Sequence, residues 1–120
     1  QTQRIVITYS ATTMTQIGTG YSAEIPDNGD VYLVLDMTIQ NQGYDSFLLD
    51  PGNCLVWVQQ VRYYTAEIRL EGMLSPATVP DGGTVSGKIA FEVPSSSLSN
   101  TGFQPTYINA PKYTIQWVRQ

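Results

Sequence analysis

Residues 31–43 read VYLVLDMTIQNQG, and the fold follows from their order. Val31, Leu33, Leu35, Met37 and Ile39 recur at every second position, with Tyr32, Val34, Asp36 and Thr38 between them. Side chains that alternate in this way point to opposite faces of an extended chain, so the stretch predicts a strand. Its length and the apolar content of both faces place it at the centre of a sheet. Just ahead of it Asn28 and Gly29 tolerate the positive φ of a tight turn, and Asn41, Gln42 and Gly43 end it.

The period of two continues outward in both directions. Residues 4–9 predict an opening strand, 12–17 an edge strand or extended arm, and 21–25 a short strand ahead of the turn. Downstream, 47–49, 54–58 and 61–70 predict shorter strands. Residues 84–93 repeat the clean alternation, with Val85, Gly87, Ile89, Phe91 and Val93 against Ser86, Lys88, Ala90 and Glu92. Pro94 stops that strand because it cannot donate into a ladder. Residues 95–111, rich in Ser, Gly, Pro and Asn, predict a long loop, and 112–119 a final strand. No window holds the 3.6 period of an amphipathic helix. Seven to nine strands between turn signals predict an all-β fold, an antiparallel β-sandwich forming one domain over 1–120. Trp57 would fill a core position between the sheets.

Composition excludes several function classes. The chain has 120 residues, 42% hydrophobic and 13% charged, unlike a disordered segment, which is charge-rich and poor in aromatics. It contains no histidine, which removes Ser-His-Asp triads, Cys-His pairs and the usual neutral-pH general base; no enzyme is expected. The formal charge is −4, and the six bases Arg4, Arg62, Arg69, Lys88, Lys112 and Arg119 are scattered, so nucleic acid is not an expected partner. A single cysteine, Cys54, excludes an intrachain disulfide and reads as a buried, inert thiol. No window approaches the roughly 20 apolar residues that cross a bilayer. The chain as given is therefore expected to make no membrane contact, with any signal or anchor removed upstream.

Two motifs go beyond fold-level pattern. Residues 31–43, with Phe47, Leu48, Leu49 and Asp50 after them, form a long apolar strand closing on an Asn. Residues 79–94 read VPDGGTVSGKIAFEVP, a Pro-then-Gly turn feeding a strand with an internal Gly. Together they resemble the telokin-like, immunoglobulin-like extracellular domains of unknown function in bacterial and archaeal surface proteins and lipoproteins. The resemblance covers Gly18 to Val118; residues 50–57 depart from the family's usual pattern at that corner. It implies a location outside the cytoplasmic membrane behind a lipid or single-helix anchor, and it supplies no catalytic residue. In the motifs themselves, Gly82 and Gly83 would provide positive φ, Gly87 a bulge or close approach, and Asn41 a strand-end cap.

Among candidate sites, Asp27 and Asp30, with Glu24, Asp45 or Asp50 nearby, could offer oxygen ligands to Ca²⁺, although a solvated turn is the ordinary use of such residues. No cofactor or metal ligand set is assigned. Eight tyrosines are the main surplus, and tyrosine gives large amphipathic contact area at small entropic cost. Tyr44, Phe103 and Tyr107 are expected to form a contact surface together with Tyr63 and Tyr64, which must face opposite ways on a strand. The reading is a non-enzymatic extracellular binding or assembly module whose partner is another cell-envelope protein or a glycan. The alternatives are a subunit of a surface layer or filament machinery that self-associates through edge strands, and a protease-inhibitor-like sandwich whose 95–111 loop enters a cleft.

Overall fold

A computed structural model describes residues 3–18, 20–66, 68–108 and 112–120. The strands are β1 (Arg4–Met14), β2 (Asp30–Gln42), β3 (Ser46–Leu49), β4 (Cys54–Val58), β5 (Val61–Tyr64), β6 (Ala77–Pro80), β7 (Thr84–Pro94), β8 (Gln104–Tyr107) and β9 (Ile115–Arg119). One layer has the order β7-β2-β1-β9; facing it lie β5-β4-β8 and the two-stranded β3-β6. The protein is an all-β sandwich of about nine strands.

Its core is the set of inward residues that alternation demands. Ile5, Ile7 and Tyr9 of β1, Leu33, Leu35, Met37 and Ile39 of β2, and Ile89, Phe91 and Val93 of β7 meet Phe47, Leu49, Cys54, Val56, Val58, Val79 and Tyr107. β2 is central, flanked by β1 and β7 along almost its whole length. Its apolar second face is also explained. Tyr32 and Val34 are buried with Ile17 and Ala90 in a smaller cluster, against which Met14, Ile68 and Leu70 pack.

Several elements differ from the sequence expectation, each for a physical reason. β1 and the supposed arm at 12–17 are one strand as far as Met14, because the ladder with β2 continues to the pair Met14–Tyr32. The 61–70 strand stops at Tyr64. Beyond it the chain turns over β7: the Ala66 N–H donates to the Ala90 carbonyl (2.8 Å), and the Leu74 N–H to the Lys88 carbonyl (2.9 Å). Gly87 is therefore a place of close approach, since a Cβ there would lie 2.8 Å from Leu74 Cδ2. In place of a strand at 21–25, Gly20–Ser22 forms a 3₁₀ turn and Glu24 bridges to Ile17. The 95–111 stretch is not a single loop: it holds the short helix α1 (Ser95–Thr101) and β8, which antiparallel pairing brings alongside β4. β9 runs parallel to β1, so the first layer is mixed.

Both quoted motifs converge on Asn41. It lies in phase with the core face of β2 and is completely buried. Its Nδ2 donates to the carbonyls of Val79 (2.9 Å) and Tyr44 (3.0 Å), and its Oδ1 accepts from the Tyr44 N–H (3.1 Å). Its backbone exchanges bonds with the Gly82–Gly83 turn, and Asp81 Oδ1 accepts from the Gly43 N–H (2.8 Å). Only Gly82 of that glycine pair has positive φ; Gly83 is needed because a Cβ would sit 2.9 Å from the Pro80 carbonyl oxygen.

Candidate functional site

Strand alternation on β4 decides which side chains reach solvent. Cys54, Val56 and Val58 enter the core, so Leu55 and Trp57 point to the opposite face, where Leu55 is still buried and Trp57 reaches solvent. The register places Arg62 of β5 and Gln104 of β8 beside Trp57, and Tyr64 and Thr106 beside Leu55. This outer face thus carries two aromatic rings, a guanidinium, an amide and a hydroxyl. Trp57, expected in the core, is instead 38% exposed, with the Arg62 guanidinium 5.6 Å from its ring centre. Tyr107 is the reverse correction. Its register against Cys54 points it inward, where it is 1% exposed, packs on Phe47, accepts the Asp50 N–H (3.0 Å) and donates to the Leu48 carbonyl (3.2 Å). Burial, ahead of its other surroundings, pushes its hydroxyl pKa up, and it cannot join a contact surface.

Beside Trp57 opens a groove of about 530 Å³, lined by Trp57, Gln59, Gln60, Gly102, Phe103, Gln104 and Thr106. Phe103 is also part of a second depression of about 250 Å³ with Ala11, Thr12, Thr13, Leu98 and Arg119. The half-buried Phe103 ring makes an edge contact with Tyr9, and the Arg119 guanidinium lies 4.9 Å over it. Gln59 and Gln60 form the two-residue turn between β4 and β5, with φ of 49° and 67°. Two successive left-handed residues suit the right-handed twist of a hairpin, yet neither is Asn or Gly, so the turn holds backbone strain at the rim of the groove.

The other expected contact residues are placed as follows. Tyr64 is 53% exposed on the same outer face as Trp57. Tyr63 points the opposite way and packs against the core as a partly buried residue. Tyr44 is also partly buried: its ring meets Tyr113 edge-on at 5.1 Å, and its hydroxyl accepts the Thr114 N–H (2.7 Å). The five residues are therefore not brought together; Phe103 lies in the groove and Tyr64 on the neighbouring face. Trp57, Gln59 and Gln60 had not been singled out as contacts. Alternation through Cys54, Val56 and Val58 carried the signal for Trp57, while a Gln-Gln turn carries none.

The acidic turn forms a second cluster. One ligand oxygen from each of Asp27, Asp30 and Glu92 lies within 4.8 Å of the others, and Glu92 Oε2 accepts the Asp27 N–H (3.0 Å). Glu24, Asp45 and Asp50 are not part of this set. The Asp27 N–H bond lowers the Glu92 pKa, but burial and the adjacent Asp30 and Asp27 outweigh it, so the net direction is up. Burial raises the Tyr32 pKa, with the charges of Glu92, Glu24 and Asp27 adding to it. Cys54 is buried as expected, and burial, aided by Asp50, pushes its thiol up to about 12, leaving it protonated and unreactive.

Comparison with known proteins bears on the fold and the family. A candidate lipoprotein from Bacillus subtilis has a similar structure, with a TM-score of 0.58 at 14% identity over 70% of this chain and 26% of its own. A functionally unknown protein from Listeria monocytogenes gives a TM-score of 0.49 at 13% identity, covering 63% of this chain and 46% of its own. The chain thus spans less than half of either protein. No curated protein matches it. The family model for a domain of unknown function, DUF4352, matches residues 1–114, nearly the whole sandwich from β1 to the approach of β9, and the chain belongs to that family.

Proposed function

We propose that this chain is a non-enzymatic binding module displayed outside the cytoplasmic membrane, and that the groove between Trp57 and Phe103 is its contact surface. One observation carries the reading: two partly exposed rings, three glutamines and a threonine converge on one groove, an arrangement that offers stacking faces and hydrogen-bonding groups together. The lack of histidine and the protonated, buried Cys54 favour binding over catalysis. The likeness to a candidate lipoprotein supports an envelope setting. The telokin-like, immunoglobulin-like kinship suggested by residues 31–50 and 79–94 agrees with it.

Co-sedimentation with insoluble cell-envelope material tests the reading. The wild-type chain should be retained and a Trp57→Ala/Phe103→Ala variant released, with both showing the same far-UV circular dichroism. Equal retention of the two would refute it. The assembly alternative is favoured by β9, which pairs with β1 on one side and ends the layer. An oligomer that grows with concentration in sedimentation velocity would support that alternative over a monomeric binder.

A further inference from the structure

The ten acids and six bases of this chain are not spread evenly around the groove. Among the described residues, neither the groove nor the depression that shares Phe103 has an Asp or Glu in its lining. Two of the six bases flank them, and each guanidinium lies over an aromatic ring of the site: Arg62 5.6 Å from the centre of Trp57 and Arg119 4.9 Å from that of Phe103. Both arginines are exposed. Among the described residues the ion pair present is Arg69 with Glu24, which leaves Arg62 and Arg119 without a carboxylate partner. A cation–π contact holds a guanidinium near the ring without using up its N–H donors, and those donors match the paired oxygens of a carboxylate or phosphate.

From this we propose that the ligand is an anionic polysaccharide, a sugar chain bearing carboxylates or phosphates. The inference rests on the groove being the contact surface. The two arginines would take the charges, while Gln59, Gln60, Gln104 and Thr106 would hydrogen-bond the hydroxyls between them. The exposed ring of Trp57 would stack on the C–H face of a sugar, whose partial positive charge suits the negative face of the ring. A protein partner fits less well, because the centres of protein interfaces are dry and apolar, whereas amides and a hydroxyl make up most of this lining. The overall charge of −4 makes the local excess of positive charge selective, since a polyanion would be repelled by most of the remaining surface.

Tryptophan emission provides the test, in a Trp117→Phe background so that Trp57 reports alone. Polygalacturonate supplies carboxylates, poly(glycerol phosphate) phosphates, and the methyl ester of polygalacturonate the same sugars without charge. Saturable change with at least one charged polymer is expected, and its affinity should fall about tenfold or more in Arg62→Gln/Arg119→Gln and on raising salt from about 50 to about 500 mM. Which charged polymer responds identifies the anion. Equal binding of the ester, or full affinity in the double Gln variant, would overturn the charge assignment and leave the groove standing. Equal binding of poly-glutamate would overturn the assignment to a polysaccharide. No response to either charged polymer overturns the proposal, and undiminished binding by Trp57→Ala/Phe103→Ala, measured by equilibrium dialysis, overturns the groove itself.

Discussion

Replacing Asn41 should cost more stability than any other polar substitution in this protein. The side chain is completely buried and makes three hydrogen bonds, to the carbonyls of Val79 and Tyr44 and from the Tyr44 N–H. Each such bond contributes about 1 kcal/mol net, and a buried group left without a partner costs about 1–3 kcal/mol. Asn41→Ala removes all three, so a loss of about 3 kcal/mol is expected, a large fraction of the roughly 5–15 kcal/mol that holds a domain folded. Asn41→Asp keeps the shape and replaces the amide donor by an acceptor that faces two carbonyl oxygens. As a carboxylate it should be at least as damaging as Ala; protonated, it regains one donor, so its deficit should shrink as pH is lowered from about 7 towards about 4. Urea unfolding followed by tryptophan fluorescence measures both variants, the slope with denaturant showing whether the transition stays two-state. A loss under about 1 kcal/mol for Asn41→Ala, or a pH-independent deficit for Asn41→Asp, would refute the assignment of Asn41 as the hydrogen-bonded junction between β2 and the 79–83 turn.

Four further outcomes are expected. Tyr107→Phe removes a hydroxyl bonded to Asp50 and Leu48 and should lower the unfolding free energy by about 1–3 kcal/mol; no change in urea midpoint would mean that the hydroxyl is not needed there. Gly87→Ala places a methyl 2.8 Å from Leu74 Cδ2 and should cost about 1–3 kcal/mol, a penalty that Leu74→Ala relieves in a double-mutant cycle if the contact is its cause. Gln59→Asn with Gln60→Gly should raise stability by about 1 kcal/mol, because Asn and Gly accept the positive φ that both glutamines now hold; a fall in thermal midpoint would count against that turn. With its pKa raised on folding, Glu92 contributes stability that is present at acid pH and lost as pH rises through the raised value. Glu92→Gln should therefore match the wild type at about pH 3.5 and exceed it near neutrality, with the difference shrinking in salt; a constant offset in parallel urea titrations would refute the charge repulsion.

How far these features can be read from sequence differs from residue to residue. β2 and β7 are legible because each has a buried face, and alternation records burial directly: the five positions from Val31 to Ile39, and those from Val85 to Val93, point as expected. Direction leaves no such record. The period of two is the same for parallel and antiparallel partners, so nothing in 115–119 distinguishes β9 as parallel. β8 is hidden because it has four residues, one of them a proline, beside a Ser-rich stretch. Trp57 and Tyr107 exchange their expected places for one reason. Size suggested the core for the tryptophan and loop context the surface for the tyrosine, but strand phase outranks both: Cys54, Val56 and Val58 take the inner face, and pairing with Cys54 turns Tyr107 inward. The groove is less legible still, since it joins residues 57–60 to residues 102–106 through the β4–β8 pairing.

The parallel pairing of the first and last strands has a mechanical consequence. β1 begins at Arg4 and β9 ends at Arg119, beside Tyr9, with bonds running from the Ile5 N–H to Thr114 and from the Gln120 N–H to Tyr9. Tension drawing the start of β1 and the end of β9 apart acts along both strands and across the bonds between them. The bonds are then loaded together in shear, and the pair must slide as a unit, whereas a hairpin pulled from its open end unzips one rung at a time. A domain built in this way resists being drawn apart at the start of β1 and the end of β9, and a slip of β9 along β1 would also drag Ile115 and Trp117 across the core they pack against.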